Sequence, residues 1–122
     1  MKITSVQATA IAVPTGLPTD AATGIWDVVP QVFVEISTED GLTGLGEAFA
    51  YGMPNAVAAV INETLAPRLQ GQDSTQTSAL TERLFRSTHL FGRYGITTFA
   101  ISGVEMALWD LAGKRANTPL WQ

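Results

Sequence analysis

Between Phe99 and Lys114 the apolar residues fall on two sides of any helix drawn through them. At ~100° per residue, Ala100, Ile101, Val104, Ala107, Leu108 and Leu111 make one stripe, while Phe99, Met106 and Trp109 make a second on the far side. Glu105 separates the stripes on one flank, Asp110 and Lys114 on the other. A helix that is apolar on two faces must be covered on both, and a small sheet with two further helices readily covers only one. Two arrangements satisfy it: a central core helix of one compact domain, or a second domain or subunit laid over the far stripe. The closing run Pro119-Leu120-Trp121-Gln122 starts a new apolar segment and stops, which reads as a cut and favours the second arrangement.

The rest of the chain supplies the small sheet. Val6, Ala8 and Ala10 alternate with Ser5, Gln7 and Thr9, a half-buried strand that Pro14 is expected to close. Thr15 to Pro30, punctuated by Gly16, Pro18, Asp20, Gly24 and Pro30, has no sustained period and reads as a long loop. Val32, Val34 and Ile36 mark a second strand, Asp40-Gly41 a hairpin turn, and Thr43 to Ala50 a glycine-rich third strand, giving an antiparallel meander. Three helices follow. Asn55 is placed to cap the first, which Pro67 and Gly71 end. Asp73 and Gln76 resemble a capping box for the second, with Leu80, Leu84 and Phe85 as its stripe to about Ser87. The third runs from Thr97 to about Ala116 and stops at Asn117-Thr118-Pro119. The expected class is therefore α+β, a three-stranded meander followed by three helices.

Composition removes several kinds of chemistry. With 46% hydrophobic residues among 122, the chain can bury a core. A net charge of -4 is the wrong sign for tracking a phosphate backbone, so nucleic acid is not an expected partner. No cysteine and one histidine leave no thiolate metal site and little material for a histidine cluster. No secretory h-region and no membrane-length apolar run stand in the sequence, so a cytoplasmic location is expected.

The stretch Ala100-Ile101-Ser102-Gly103-Val104-Glu105-Met106-Ala107-Leu108-Trp109-Asp110-Leu111-Ala112-Gly113-Lys114, with Asn117, Pro119 and Leu120 after it, resembles the signature helix of the mandelate racemase/muconate lactonizing enzyme family of the enolase superfamily. Asp40-Gly41-Leu42-Thr43-Gly44-Leu45-Gly46-Glu47-Ala48 resembles that family's second hairpin, and the element order is similar to its N-terminal capping domain over essentially all 122 residues. The resemblance implies that residues 1–96 form the cap and 97–122 a helix linking it to a (β/α)₈ barrel that is absent from this chain. It implies a parent lyase or isomerase (dehydratase, racemase or cycloisomerase) that abstracts a proton α to a carboxylate. Magnesium would be held by the barrel and not by this chain, which lacks the catalytic residues. The barrel, a small carboxylate or acid-sugar substrate and further copies in an oligomer are the implied partners. A free-standing, non-catalytic domain that pairs through its third helix is the alternative.

The resemblance extends to a Phe-Ala-Tyr that stands at the matching place in a member of the family, in a capping loop over the barrel mouth. It implies that Phe49 and Tyr51 face substrate, the tyrosine offering a ring and a hydroxyl, with a sheet-end aromatic that closes the domain's own core as the alternative. The resemblance likewise places Thr23, Ile25 and Trp26 in a lid loop that touches ligand and excludes water. The remaining candidates have plainer readings. Gly41-Leu42-Thr43-Gly44-Leu45-Gly46 opens no helix and precedes no Lys-Ser/Thr, so its glycines point to close backbone approach, not a phosphate cradle. Glu47 reads as a structural or solvated carboxylate, His89 as a loop histidine, and Asp110 with Lys114 as an i,i+4 pair. Glu105 and Asp110, five apart, point to different sides of their helix and cannot form a catalytic pair.

Overall fold

The computed structural model describes residues 1–21 and 24–122 and, within them, the side chains outside 17–26. Strands β1 (Ile3–Ala21), β2 (Gly24–Thr38) and β3 (Thr43–Ala48) form one antiparallel sheet in the order β1-β2-β3. The Asp40-Gly41 turn joins β2 to β3 as the sequence predicts. Gly41 takes φ +82° there and donates its amide to the Thr38 carbonyl at 3.0 Å.

The long loop expected over 15–30 is instead a continuation of the first hairpin. Pro14 lies opposite Val28 and Pro30 opposite Ala12, and pairing resumes at Thr19 opposite Trp26 and runs out to Ala21 opposite Gly24. Pro14 does not close the strand, because the register breaks between Pro14 and Thr19, where Gly16 adopts φ +73°. An irregularity of that kind accommodates a residue that cannot donate to the ladder.

The first helix begins one residue before Asn55. Pro54 opens α1 (Pro54–Ala59) behind Met53, whose carbonyl accepts the Val57 amide at 3.2 Å, and no side chain caps it. Proline suits that first position, where its missing N–H is not needed. The rod then passes through a π-helical segment, Val60–Leu65, into α2 (Ala66–Leu69). Its buried residues Val57, Ile61, Leu65 and Leu69 recur every four positions. Twelve residues over three turns is 4.0 per turn, wider than the α-helical 3.6, and the π segment supplies the extra width that keeps one face on the core. Pro67 falls in the first turn of α2 and so does not end the rod, which stops at Gln70 ahead of Gly71 with φ +75°.

Helix α3 (Thr77–Thr88) starts behind Gln76, without the capping box expected from Asp73. The Asp73 carboxylate instead accepts the Thr75 amide at 3.1 Å and the Met1 ammonium at 3.3 Å. Leu80 and Leu84 are buried while Phe85 stays exposed. Helix α4 (Ile96–Ala116) ends at Asn117 in the left-handed region (φ 52°), with the Thr118 amide returned to the Gly113 carbonyl at 3.1 Å.

The two stripes of α4 meet different fates. Ala100, Ile101, Val104, Ala107, Leu108 and Leu111 are fully buried against the inward face of the sheet, with Ala8, Val32, Val34, Ile36 and Ala48. Each large side chain in that set contributes roughly 1.5–3 kcal/mol before its ordering entropy is subtracted. Met106 and Trp109 remain half-exposed. The glycines of β3 allow the closeness of this packing. A Cβ on Gly44 would stand 2.1 Å from the Ala107 carbonyl oxygen, one on Gly46 2.1 Å from the Gly103 oxygen, and one on Gly103 2.7 Å from the Ala48 Cβ.

Helix side chains also seal the sheet's two outer edges, where unpaired backbone groups invite foreign strands. Asn62 accepts the Ala8 amide at 2.8 Å and donates back to the Ala8 carbonyl at 2.9 Å, occupying the edge of β1. On β3, Asp110 accepts the Leu45 amide and Lys114 donates to the Thr43 carbonyl, both at 2.7 Å, while the two side chains pair with each other at 2.7 Å. The i,i+4 pair thus does more than support its own helix. Burial raises the Asp110 carboxyl, but the Lys114 ammonium and the Leu45 amide outweigh it and hold the group below the usual carboxylate range.

Candidate functional site

The end of β3 carries the rings that the sequence singles out. Strand-like alternation persists past Ala48: Ala48 and Ala50 are buried, while Phe49 and Tyr51 are 51% and 44% exposed on the other side. The turn that follows fixes them, with the Met53 amide on the Ala50 carbonyl at 3.1 Å and Gly52 at φ +80°. The Phe49 and Tyr51 rings lie 5.1 Å apart at 47°. The ring of Phe99, in the first turn of α4, lies 4.8 Å from that of Phe49 at 58°. These tilted pairs fall in the favourable aromatic range, worth about 0.5–1.5 kcal/mol each beyond area burial. A strand end and a helix start therefore present one aromatic wall.

Phe99 is the member that the sequence reading missed, having been grouped with Met106 and Trp109. A signal was present. Gly103 lies one turn after Phe99 and is the small residue through which α4 touches Ala48, so Phe99 falls beside the residue after Ala48.

The lid candidates lie elsewhere. Thr23 is outside the described residues, as are the side chains of Ile25 and Trp26. The backbones of Ile25 and Trp26 pair with Asp20 and Thr19 at the far end of the β1–β2 ribbon. β3 ends with Ala48 opposite Val32, so six residues of β2 separate Trp26 from the level of the aromatic wall, about 20 Å of extended strand. Ile25 and Trp26 belong with the wall to the end of the domain from which the ribbon projects, but the backbone does not bring them together with it.

The plainer readings fit their surroundings. His89 is exposed, with Nδ1 at 3.0 Å from the Arg86 carbonyl oxygen, and Glu47 is exposed on β3. Among the described residues, no three His, Asp or Glu side chains gather into a group able to hold a metal ion. Nor is any helix among them long and apolar enough to cross a membrane.

Comparison with known proteins agrees with this geometry. Residues 3–122 match the family model described as the mandelate racemase / muconate lactonizing enzyme, N-terminal domain. The chain belongs to that family. It is 42% identical over 91 residues to an arabinonate dehydratase of Saccharolobus solfataricus, covering 75% of this chain and 24% of the relative. It is 39% identical over 113 residues to a 3,6-anhydro-alpha-L-galactonate cycloisomerase of Streptomyces coelicolor, covering 92% of this chain and 31% of the relative. A crystal structure of a racemase from Streptomyces coelicolor A3(2) with bound magnesium superposes at a TM-score of 0.87 with 34% identity, over 93% of this chain and 32% of that one. The chain thus spans between a quarter and a third of the length of these enolase-superfamily relatives, and it corresponds to their N-terminal domain.

Proposed function

We propose that this domain is the specificity cap of a magnesium-dependent lyase or isomerase that abstracts a proton α to the carboxylate of an acid sugar or small hydroxy acid. The observation that carries the reading is the aromatic wall of exposed Phe49 and Tyr51, with half-buried Phe99 against Phe49, at the end from which the hairpin projects. The relatives named as a dehydratase and a cycloisomerase take sugar-derived carboxylates by name, which supports that substrate class.

In this reading magnesium, held by residues beyond those described here, supplies charge stabilisation to the deprotonated carboxylate substrate. The cap contributes binding and exclusion of water. Phe49 and Tyr51 present apolar ring surface and one hydroxyl to the substrate, and the projecting ribbon that carries Ile25 and Trp26 closes over it, with Thr23 assigned to the same lid by the family resemblance alone. Water exclusion strengthens every charge interaction beneath such a cover. Residues 97–122 connect the cap to the domain that carries the chemistry.

Steady-state kinetics of the whole enzyme on a panel of acid sugars and hydroxy acids tests the proposal. Tyr51→Ala and Phe49→Ala should lower kcat/KM unequally across the panel, by about 10- to 200-fold for the acids that reach the wall. Tyr51→Phe separates the ring from the hydroxyl. Equal losses for every substrate, or none, would remove these residues from the pocket.

A further inference from the structure

We infer that the outer face of α4 is a seat for the polypeptide that follows Gln122 in the whole protein. The inference rests on the reading of this chain as one part of a longer enzyme. The face is an open cleft of about 440 Å³ lined by Leu45, Met106, Trp109, Asp110 and Leu120. Its four apolar side chains are 45–59% exposed, Trp109 least and Leu120 most. The one charge among them is already engaged, since Asp110 accepts the Leu45 amide and pairs with Lys114. What the cleft offers a ligand is therefore apolar contact with no unspent charge, which suits packed side chains and not an ionic small molecule.

Two observations select the occupant. The chain turns at Asn117 and returns along α4, and Leu120 packs into the space that a side chain on Gly113 would fill, its Cδ2 3.2 Å from that Cβ position. Leu120 lines the cleft, so the polypeptide leaves this domain at the cleft's rim. The relatives also continue well beyond the matched region, since this chain spans only 24% and 31% of their lengths. From Leu120 at the level of Gly113 to Met106 is seven helical residues, about 10 Å, a distance that three or four extended residues cover. The first residues after Gln122 are thus long enough to lie in the cleft.

Cysteine labelling in the whole protein tests this, because the 122 residues contain no native cysteine. Met106→Cys, and separately Leu45→Cys as a second probe, are treated with a maleimide in native and urea-unfolded protein, and the modified site is read by peptide mass mapping. The expected native rate is at least about 100-fold slower than the unfolded rate and independent of protein concentration. Single cysteines placed in about the first five positions after Gln122 should form an intrachain disulfide with Met106→Cys at one or more positions. Native labelling as fast as unfolded overturns the inference. So does protection that fades on dilution, which assigns the face to a second copy, or protection without any such disulfide, which assigns it to another part of the protein. Activity on acid sugars keeps the two readings apart. Free labelling in an active enzyme defeats the seat alone, and protection in a protein inactive on every acid tested defeats the functional reading alone.

Discussion

Gly46→Ala probes one of the closest approaches of helix and strand in this fold. The added methyl would stand 2.1 Å from the Gly103 carbonyl oxygen and 2.7 Å from the Ala107 amide nitrogen, both backbone atoms that no rotamer change can move. Restoring an ordinary contact of 3.4 Å requires α4 and β3 to separate by more than 1 Å, which opens gaps around Ala107 and Leu111 in a core packed to crystal-like density. Alanine otherwise favours a strand over glycine by about 0.5–1 kcal/mol, so a site with room would gain stability. Overpacking costs of 1–3 kcal/mol apply at their upper end here, for a net loss of about 2 kcal/mol. At about 2.1 cal/mol/K per residue, the 122-residue chain should lose about 4 °C of Tm per kcal/mol, or roughly 8 °C in all. Urea unfolding followed by circular dichroism at fixed protein concentration measures the change directly, provided the m value is unchanged. Gly41→Ala is the control: nothing lies within 4 Å of its Cβ position, and the cost comes only from φ +82°. A Gly46→Ala protein as stable as the parent, or more so, refutes the close approach of helix and strand.

The sheet edges give two further expectations. Asn62→Ala frees both backbone groups of Ala8 at a site water can reach, and should cost about 1–2 kcal/mol in the same unfolding assay. Asp110→Asn should cost about 1 kcal/mol near neutral pH, discounted for partial exposure. Because the folded Asp110 carboxyl lies below its ordinary 3.8, its contribution is fully present above that pH and is lost as pH falls through the lower folded value. The stability gap between parent and Asp110→Asn should therefore close in strong acid, and a gap that widens there contradicts the assignment.

Periodicity made the inner stripe of α4, the meander and the Asp-Gly turn legible, because each depends on local spacing and burial. Resemblance identified the family and with it the interest of Phe49 and Tyr51. The errors have physical causes of their own. Thr15 to Pro30 looked like a loop because its prolines and glycines break the pattern, yet strand pairing needs only a partner, and a register break let the ladder pass Pro14. Asp73 lost its capping role to the Thr75 amide and the chain's own amino terminus, partners that a local window cannot weigh. The second task of Asp110 and Lys114 was equally hidden, since Thr43 and Leu45 lie some seventy residues away in the sequence. The π-helical widening leaves a trace in the four-residue spacing of Val57, Ile61, Leu65 and Leu69, wider than the 3.6 of an α-helix.

The aromatic wall is assembled from two elements, so its geometry depends on a contact that touches no substrate. Phe49 follows Ala48 at the end of β3, Phe99 precedes Gly103 by one turn of α4, and Ala48 and Gly103 are the close strand–helix contact nearest the rings in sequence. A methyl on Gly103 would stand 2.7 Å from the Ala48 Cβ and 2.9 Å from its amide nitrogen, pushing the two elements apart directly beneath the rings. Separation by even 0.5–1 Å forfeits a quarter to a half of the dispersion well at each ring contact, and with it the support that fixes Phe49 and Tyr51. Gly103→Ala should then lower stability by about 1–3 kcal/mol and also alter the ratios of kcat/KM among acids of different size in the whole enzyme. Gly44→Ala, which strains the same helix and strand two residues further from the rings than Gly46, should destabilise comparably while leaving those ratios close to the parent's. If both variants lose stability and neither changes selectivity, the wall is a structural closure of the sheet end. If Gly103→Ala alone shifts selectivity, the glycine contact sets the position of the substrate-facing rings.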